Sequence, residues 1–220
     1  MILQSDITIL ERCSTPHGDI QLQYRNNNYE IISNGTFLMA TYNGESERLL
    51  VKASLDSVHH PRKVMIGGLG VGFSLSEALK NNRVKEVVVL EIEEKIIEWN
   101  NRYLGEYSNH PLTDSRTRVV KADLLQWIQE ANEKFDVICL DIDNGPDWTV
   151  TEANHSLYKE SGLNTLLGLM NPGGVIAFWS ANSSDAFALR LSEYFHEVEE
   201  YKVEVERGEP DVVYIAKLPK

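Results

Sequence analysis

From Lys63 to Ser180, short apolar runs alternate with amphipathic stretches, and this alternation constrains the fold more than any other feature of the chain. KVMI, KEVVVLEI, RVVKA, FDVICLD and VIAFWS read as strands, being short and rich in Val and Ile. FSLSEALKN, EEKIIEWNNRYL, DLLQWIQEAN, SLYKESGLNTLLGLM and SDAFALRLSEYF carry the helical period between and after them. The fourth of these helices is expected to end at Asn171-Pro172-Gly173-Gly174. Strands that are apolar throughout must be covered on both faces, so the reading is an α/β fold with a parallel sheet between helical layers. EVEEYKVEVE and DVVYIAKL, separated by RGEP, read as a closing hairpin that adds one antiparallel strand. A strand–helix order with a reversed last strand is the layout of the Rossmann-like, S-adenosylmethionine-binding transferase fold with a seven-stranded sheet.

The first 45 residues differ. DIQLQY, YEIIS and TFLMATY are strand-like runs separated by Asn26-Asn27-Asn28 and by Asn34-Gly35. Asn-Gly tolerates the positive φ that tight hairpins need. Residues 1–45 are therefore read as a small antiparallel β-unit, and 46–220 as the nucleoside-binding domain. A helix with Leu49, Leu50, Ala53 and Val58 on one face is expected to join the two units, stopping near His59-His60-Pro61.

Charge and cysteine content narrow the partners. Asp and Glu number 33 against 21 Lys and Arg, net −12. That balance argues against a nucleic-acid partner, which needs a basic footprint, and suits a cationic small molecule. Neither Cys13 nor Cys139 has a metal-ligand neighbour at short spacing, and the His59-His60 pair points in different directions, so no metal is expected. MILQSDITILER lacks the pattern of a signal peptide and no run is long enough to span a bilayer, so the expectation is a cytoplasmic protein away from the membrane.

Ligands of an open parallel sheet bind beyond the carboxyl ends of its strands. After the first strand stand Gly67, Gly68, Gly70 and Gly72. The dinucleotide fingerprint would require glycine at Phe73, and no phosphate-loop Lys follows, so neither a dinucleotide nor a nucleoside triphosphate is expected. After the second strand comes Glu91, placed to accept both hydroxyls of a ribose or to cap the next helix, a role that Glu93 and Glu94 serve better. After the third comes Asp123, either the cap of its helix or an acceptor for an adenine amino group. The fourth strand is expected to end in Asp141, followed by Asp143, Asn144, a Gly-Pro turn, Asp147 and Trp148. A carboxylate there can hold an ammonium group and take its proton; the alternative is a solvated turn. Trp99, Trp127 and Trp179 read as core, while Trp148 could wall a pocket.

PRKVMIGGLGVG, VVVLEIEEKIIEWN, VVKADLLQWI, FDVICLDIDNGP and SLYKESGLNTLLGLMNPGGV resemble the spermidine synthase family, the polyamine aminopropyltransferases, as a divergent member. The resemblance covers residues from about 61 to 217, and more weakly the β-unit. It implies transfer of an aminopropyl group from decarboxylated S-adenosylmethionine to a putrescine-like amine, with methylthioadenosine leaving. Glu91 then matches the ribose acid, Asp123 the adenine acid and Asp141 the carboxylate that engages the attacking amine. Asp143 or Asn144 matches the second amine ligand. The β-unit resembles the family's dimerisation and substrate-cover domain, implying a homodimer.

Some positions depart from the family. Its glycine loop carries an acid for the donor's amine, whereas Leu69 and Gly70 stand here. Its Asp-Gly-x-x-Gln becomes Asn34-Gly35-Thr36-Phe37-Leu38, and its Tyr-Gln/His-Glu becomes Ser46-Glu47-Arg48-Leu49. Tyr42 and Glu47 lie nearby out of register. These losses keep open a methyltransferase that uses S-adenosylmethionine itself, and a non-catalytic nucleoside-binding relative.

Overall fold

The computed structural model describes residues 7–142, 144–149, 152–206 and 208–220. Strands β1 (Thr8–Thr15), β2 (Gly18–Arg25), β3 (Asn28–Ser33) and β4 (Thr36–Ala40) form an antiparallel sheet in that order. Asn26 and Asn27 take φ of 51° and 65°, and Asn34 and Gly35 take 48° and 77°. Paired left-handed residues give hairpin turns whose twist matches the strands they join. The sequence pattern had not separated β1. A register shift between Ile9 and Glu11 breaks its alternation, and Ile9 and Leu10 are both exposed.

Helix α1 (Glu45–Asp56) ends three residues earlier than the His59 stop, and its buried stripe is Glu47, Leu50, Val51, Ser54 and Leu55. Of the residues expected on its inner face, Leu50 and Val58 are buried, while Leu49 and Ala53 are only partly so.

The second sheet contains β5 (Lys63–Gly67), β6 (Glu86–Glu91), β7 (Thr117–Lys121), β8 (Phe135–Leu140), β9 (Met170–Ser180), β10 (Phe195–Val203) and β11 (Asp211–Pro219). Its order is β10-β11-β9-β8-β5-β6-β7, parallel except for β11, which runs against both neighbours. The helices between strands are α2 (Phe73–Lys80), α3 (Glu94–Trp99), α4 (Leu124–Glu130), α5 (Glu160–Gly168) and α6 (Asp185–Tyr194). This α/β fold, a mostly parallel sheet with a separate antiparallel N-terminal sheet, is the one expected.

The stretch SLYKESGLNTLLGLM is not one helix. A 3-10 segment, Glu152–Tyr158, precedes α5, and Lys159 breaks them apart with φ −95° and ψ 171°. A Cβ on Gly162 would lie 2.5 Å from Leu157 Cα, so the chain doubles back too tightly for a continuous helix. Nor do Asn171 to Gly174 stand outside regular structure. They form the irregular start of β9, where Gly173 takes φ 76° and the Asn171 amide donates to Asp136 Oδ1 at 2.7 Å.

Period-two alternation sends neighbouring residues of each central strand into opposite layers. Val137 and Cys139 of β8 face one layer, with Val64 and Ile66 of β5 and the buried Ile20, Leu22 and Ile31 of the N-terminal sheet. Ile138 and Leu140 face the other, with Met65, Phe178, Phe187 and Tyr214. There Phe187 meets Tyr158, Phe178 and Tyr214 edge to face at 5.3, 5.0 and 5.4 Å between centroids. Because the small sheet shares the first layer, it is held against the strand tips by a common core. Trp99 belongs to that core, fully buried.

Candidate active site

The chain leaves β5 toward β6 and β7 on one side and returns through β8 and β9 on the other. The crevice of such a sheet opens at that reversal, between the carboxyl ends of β5 and β8. Gly67 ends β5 there, and Gly68, Gly70 and Gly72 follow with φ of 94°, 51° and 89°. A Cβ on Gly68 would lie 2.1 Å from the carbonyl oxygen of Asp141, and the Asp141 N–H donates to the Gly67 carbonyl at 2.9 Å. Asp141 therefore stands one residue past the strand, not at its end as expected. Met39 of β4 covers the far side of the loop. Val71 N–H donates to its sulfur at 3.1 Å, and a Cβ on Gly70 would come within 2.6 Å of it.

Glu91, the last residue of β6, is only 6% exposed. It accepts from Leu69 N–H through Oε2 at 2.9 Å and from Glu93 N–H through Oε1 at 2.8 Å. Burial pushes its carboxyl up, while those backbone donors pull it down. A carboxylate has about four acceptor sites, so capacity remains beyond the backbone donors for a ligand hydroxyl. Glu93 does not cap α3 through its side chain. Asp123 does cap α4: its Oδ1 accepts from Leu125 N–H at 2.8 Å.

At the tip of β8 a group of carboxylates assembles that the motifs did not disclose. Asp141 Oδ2 lies 3.2 Å from the Ser74 hydroxyl, which is also 3.3 Å from the Glu47 carbonyl oxygen. Glu47, 5% exposed, approaches the Ser46 hydroxyl at 3.1 Å. That hydroxyl is 2.7 Å from Asp211 Oδ2 and accepts from Trp179 Nε1–H at 2.9 Å. A serine has one proton to give, so Ser46 can donate to only one of its two carboxyl neighbours. Burial, then the nearby Asp141 charge, pushes Glu47 up to about 8. Burial, then Asp211, pushes Asp141 up to about 7 against the Ser74 hydrogen bond. Asp211 is raised by burial as well.

Asp211 and Ser74 are the residues that sequence reasoning missed, and Ser46 and Glu47 entered it only as off-register replacements of a family motif. Glu47 did carry a signal: it opens the buried stripe of α1, where an apolar residue belongs. Asp211 carried none, because an acid before a closing strand looks like an ordinary turn.

The loop after β8 is stitched to the tip of β9. The Asn144 carbonyl accepts from Ala181 N–H at 2.9 Å, and a Cβ on Gly145 would lie 2.1 Å from Ser180 Oγ. Asp143 lies outside the described residues. Trp148, the residue expected to wall a pocket, is 58% exposed. The cleft, of about 810 Å³, opens beside Ser46 and Asp211. Arg25 lines it from the small sheet, Tyr42 from the turn after β4, and Glu204 and Glu206 from the turn between β10 and β11. Its wall does not include Asp141, Glu91 or Asp123. Among the described residues, no group of three or more His, Cys, Asp or Glu is placed to hold a metal ion, and no helix is long and apolar enough to cross a membrane.

The spermine/spermidine synthase domain matches residues 45–207. The chain belongs to that family. It is 34% identical over 131 residues to a polyamine aminopropyltransferase of Saccharolobus islandicus, an alignment covering 60% of this chain and 42% of that one. A polyamine aminopropyltransferase of Pyrobaculum islandicum is 33% identical over 126 residues, covering 56% of this chain and 42% of its own length. The chain thus spans about two-fifths of the length of these curated relatives. Two solved structures share the fold at 18% identity and cover 95% of the chain: a spermidine synthase in complex with the transition-state analogue AdoDATO (TM-score 0.80, 73% of that chain) and the spermidine synthase of Thermotoga maritima (TM-score 0.78, 72%).

Proposed function

We propose that this chain transfers an aminopropyl group from decarboxylated S-adenosylmethionine to a small amine. The observation that carries the reading is Asp141: a carboxyl poised near neutrality, locked by its own backbone against the glycine loop. On this reading the glycine loop (Gly67, Gly68, Gly70 and Gly72) approaches the nucleoside, Glu91 accepts its ribose hydroxyls and Asp123 its adenine amino group. The acceptor arrives as an ammonium, drawn by the acidic cleft, with Asp143 and Asn144 on the same loop as further ligands. Alkylammonium groups titrate near ~10.4, so the nitrogen must lose a proton before it attacks. Asp141 takes that proton. The nitrogen lone pair then forms a bond to the carbon beside the sulfonium, the carbon–sulfur bond breaks with its electron pair going to sulfur, and methylthioadenosine leaves. Alignment supplies most of the acceleration in such a displacement.

A putrescine-like diamine acceptor, a homodimer and a cytoplasmic setting belong to the same reading. Both cysteines, Cys13 and Cys139, are free, which suits a reducing compartment. One observation favours a second reading, methyl transfer from S-adenosylmethionine: the loop position that holds an acid for the donor's amine in the family is occupied here by Leu69 and Gly70. The test is mass analysis of products after incubation with each donor and a panel of amines. New polyamines from the decarboxylated donor alone support aminopropyl transfer. Methylated amines from the carboxylated donor overturn it, as does the absence of any product while methylthioadenosine still binds.

A further inference from the structure

Glu91 belongs to a longer chain of contacts that begins in the N-terminal sheet. Its Oε1 holds the Glu93 N–H at 2.8 Å, so the turn between β6 and α3 is pinned to the ribose-acid candidate. The side chain of Glu93, 8% exposed, points the other way, toward the hairpin joining β1 and β2. There its Oε1 lies 2.8 Å from Thr15 Oγ1, the shorter of two acceptor contacts of that hydroxyl (the Gly18 carbonyl stands at 3.1 Å), and 2.9 Å from His17 Nδ1, which donates in the tautomer protonated there. The hairpin tip is itself braced: Asn34 Oδ1 accepts from Asp19 N–H at 2.9 Å, and the Asn34 N–H donates to the Asp19 carbonyl at 2.8 Å. At the opposite end of α3 a second clamp operates. Glu11 of β1 accepts from Trp99 Nε1–H at 3.1 Å and from Arg102 Nη1–H at 3.1 Å. The hairpin therefore grips the helix that follows Glu91 at both ends. Only the Thr15–His17 end is linked by hydrogen bonds to Glu91 and, through Oε2, to the Leu69 amide; the far end reaches the glycine loop at another point, where Asn100 Nδ2–H donates to the Gly70 carbonyl at 2.7 Å.

We infer that Thr15 and His17 are positioning residues for nucleoside binding, setting the Glu91 carboxylate through Glu93. Each hydrogen bond to this buried carboxylate is charge-assisted, and removing one leaves part of its charge uncompensated. The turn can then rotate, and with it the two oxygens that must meet a pair of vicinal hydroxyls. The small sheet thus does more than cover the strand tips: it holds the donor half of the site in register from a distance. This inference rests on the reading of Glu91 as the ribose ligand.

The experiment has two arms, run on the full chain. Hydrogen exchange of the Leu69 and Glu93 amides needs no ligand. In the Thr15→Val/His17→Ala double variant both should exchange at least about tenfold faster, and in Thr15→Ser near the wild-type rate. Glu11→Gln, which loosens the other clamp, should lower the melting temperature and leave those two amides unchanged. Unchanged exchange in the double variant, or equal acceleration in Glu11→Gln, overturns the relay. Calorimetry with methylthioadenosine is the second arm: about tenfold weaker binding is expected for the double variant, within about twofold for Thr15→Ser and Glu11→Gln. Wild-type-like binding by the double variant overturns the inference. If the wild type binds no methylthioadenosine while exchange responds as described, the proposed function fails and the relay stands as a structural coupling.

Discussion

Gly68 and Asp141 meet backbone to backbone, with no room for a single carbon between them: a Cβ on Gly68 would sit 2.1 Å from the Asp141 carbonyl oxygen. The loop that would approach the nucleoside and the carboxylate that would deprotonate the amine are thereby fixed to one another rather than to separate parts of the fold.

Gly68→Ala should therefore be among the most damaging single substitutions in the chain. It adds a clash to a residue already at φ 94°. We expect a loss of roughly 2 kcal/mol or more in denaturant unfolding, together with loss of nucleoside binding.

Asp141→Asn keeps the shape of the side chain and removes the base. Aminopropyl turnover should fall on the order of 10²–10⁴-fold. Methylthioadenosine affinity measured by calorimetry should change little, and a fall in affinity as large as the fall in rate would show that Asp141 serves binding rather than proton removal.

The carboxyl group of Glu47, Asp141 and Asp211 predicts an unusual pH dependence. Unfolded, Asp141 and Glu47 ionise near 3.8 and 4.5; folded, they do so near 7 and 8. Between those limits the folded chain holds more protons than the unfolded chain, so stability falls as pH rises. The contribution is complete below about pH 4 and gone above about pH 8. Melting temperature should drop across the neutral range, and the Glu47→Gln/Asp141→Asn double variant should flatten that drop and melt higher at alkaline pH. Parallel curves for wild type and variant would exclude the shared burial described here.

Asp123 can be divided into its two roles. Asp123→Ser retains a capping oxygen for Leu125 and should cost little stability, whereas Asp123→Ala should cost about 1 kcal/mol. If Asp123 also accepts from adenine, both variants should weaken methylthioadenosine binding alike. Binding that follows stability instead would leave only the cap.

The distinction between cap and ligand shows how far the residues alone could be read. Glu91 could be placed at a strand end, and Asp123 at the start of the helix after the next strand, from the alternation of strand-like and helix-like runs. Glu47 could not, although its place in the apolar stripe of α1 was a signal. Asp211 was invisible because its burial comes from α1 lying across β9 and β11, elements far apart in the chain.

By itself the amino-acid order determined the layered sheet, the helices that cover it and the glycine loop at its reversal, since each follows from periodicity and turn chemistry within a few neighbouring residues. Only the tertiary structure decided that Glu47, Asp141 and Asp211 share one desolvated network, that Met39 covers the glycine loop, and that a histidine in the first hairpin reaches the turn after Glu91. Those relations depend on which surfaces exclude water together, and no local pattern records that.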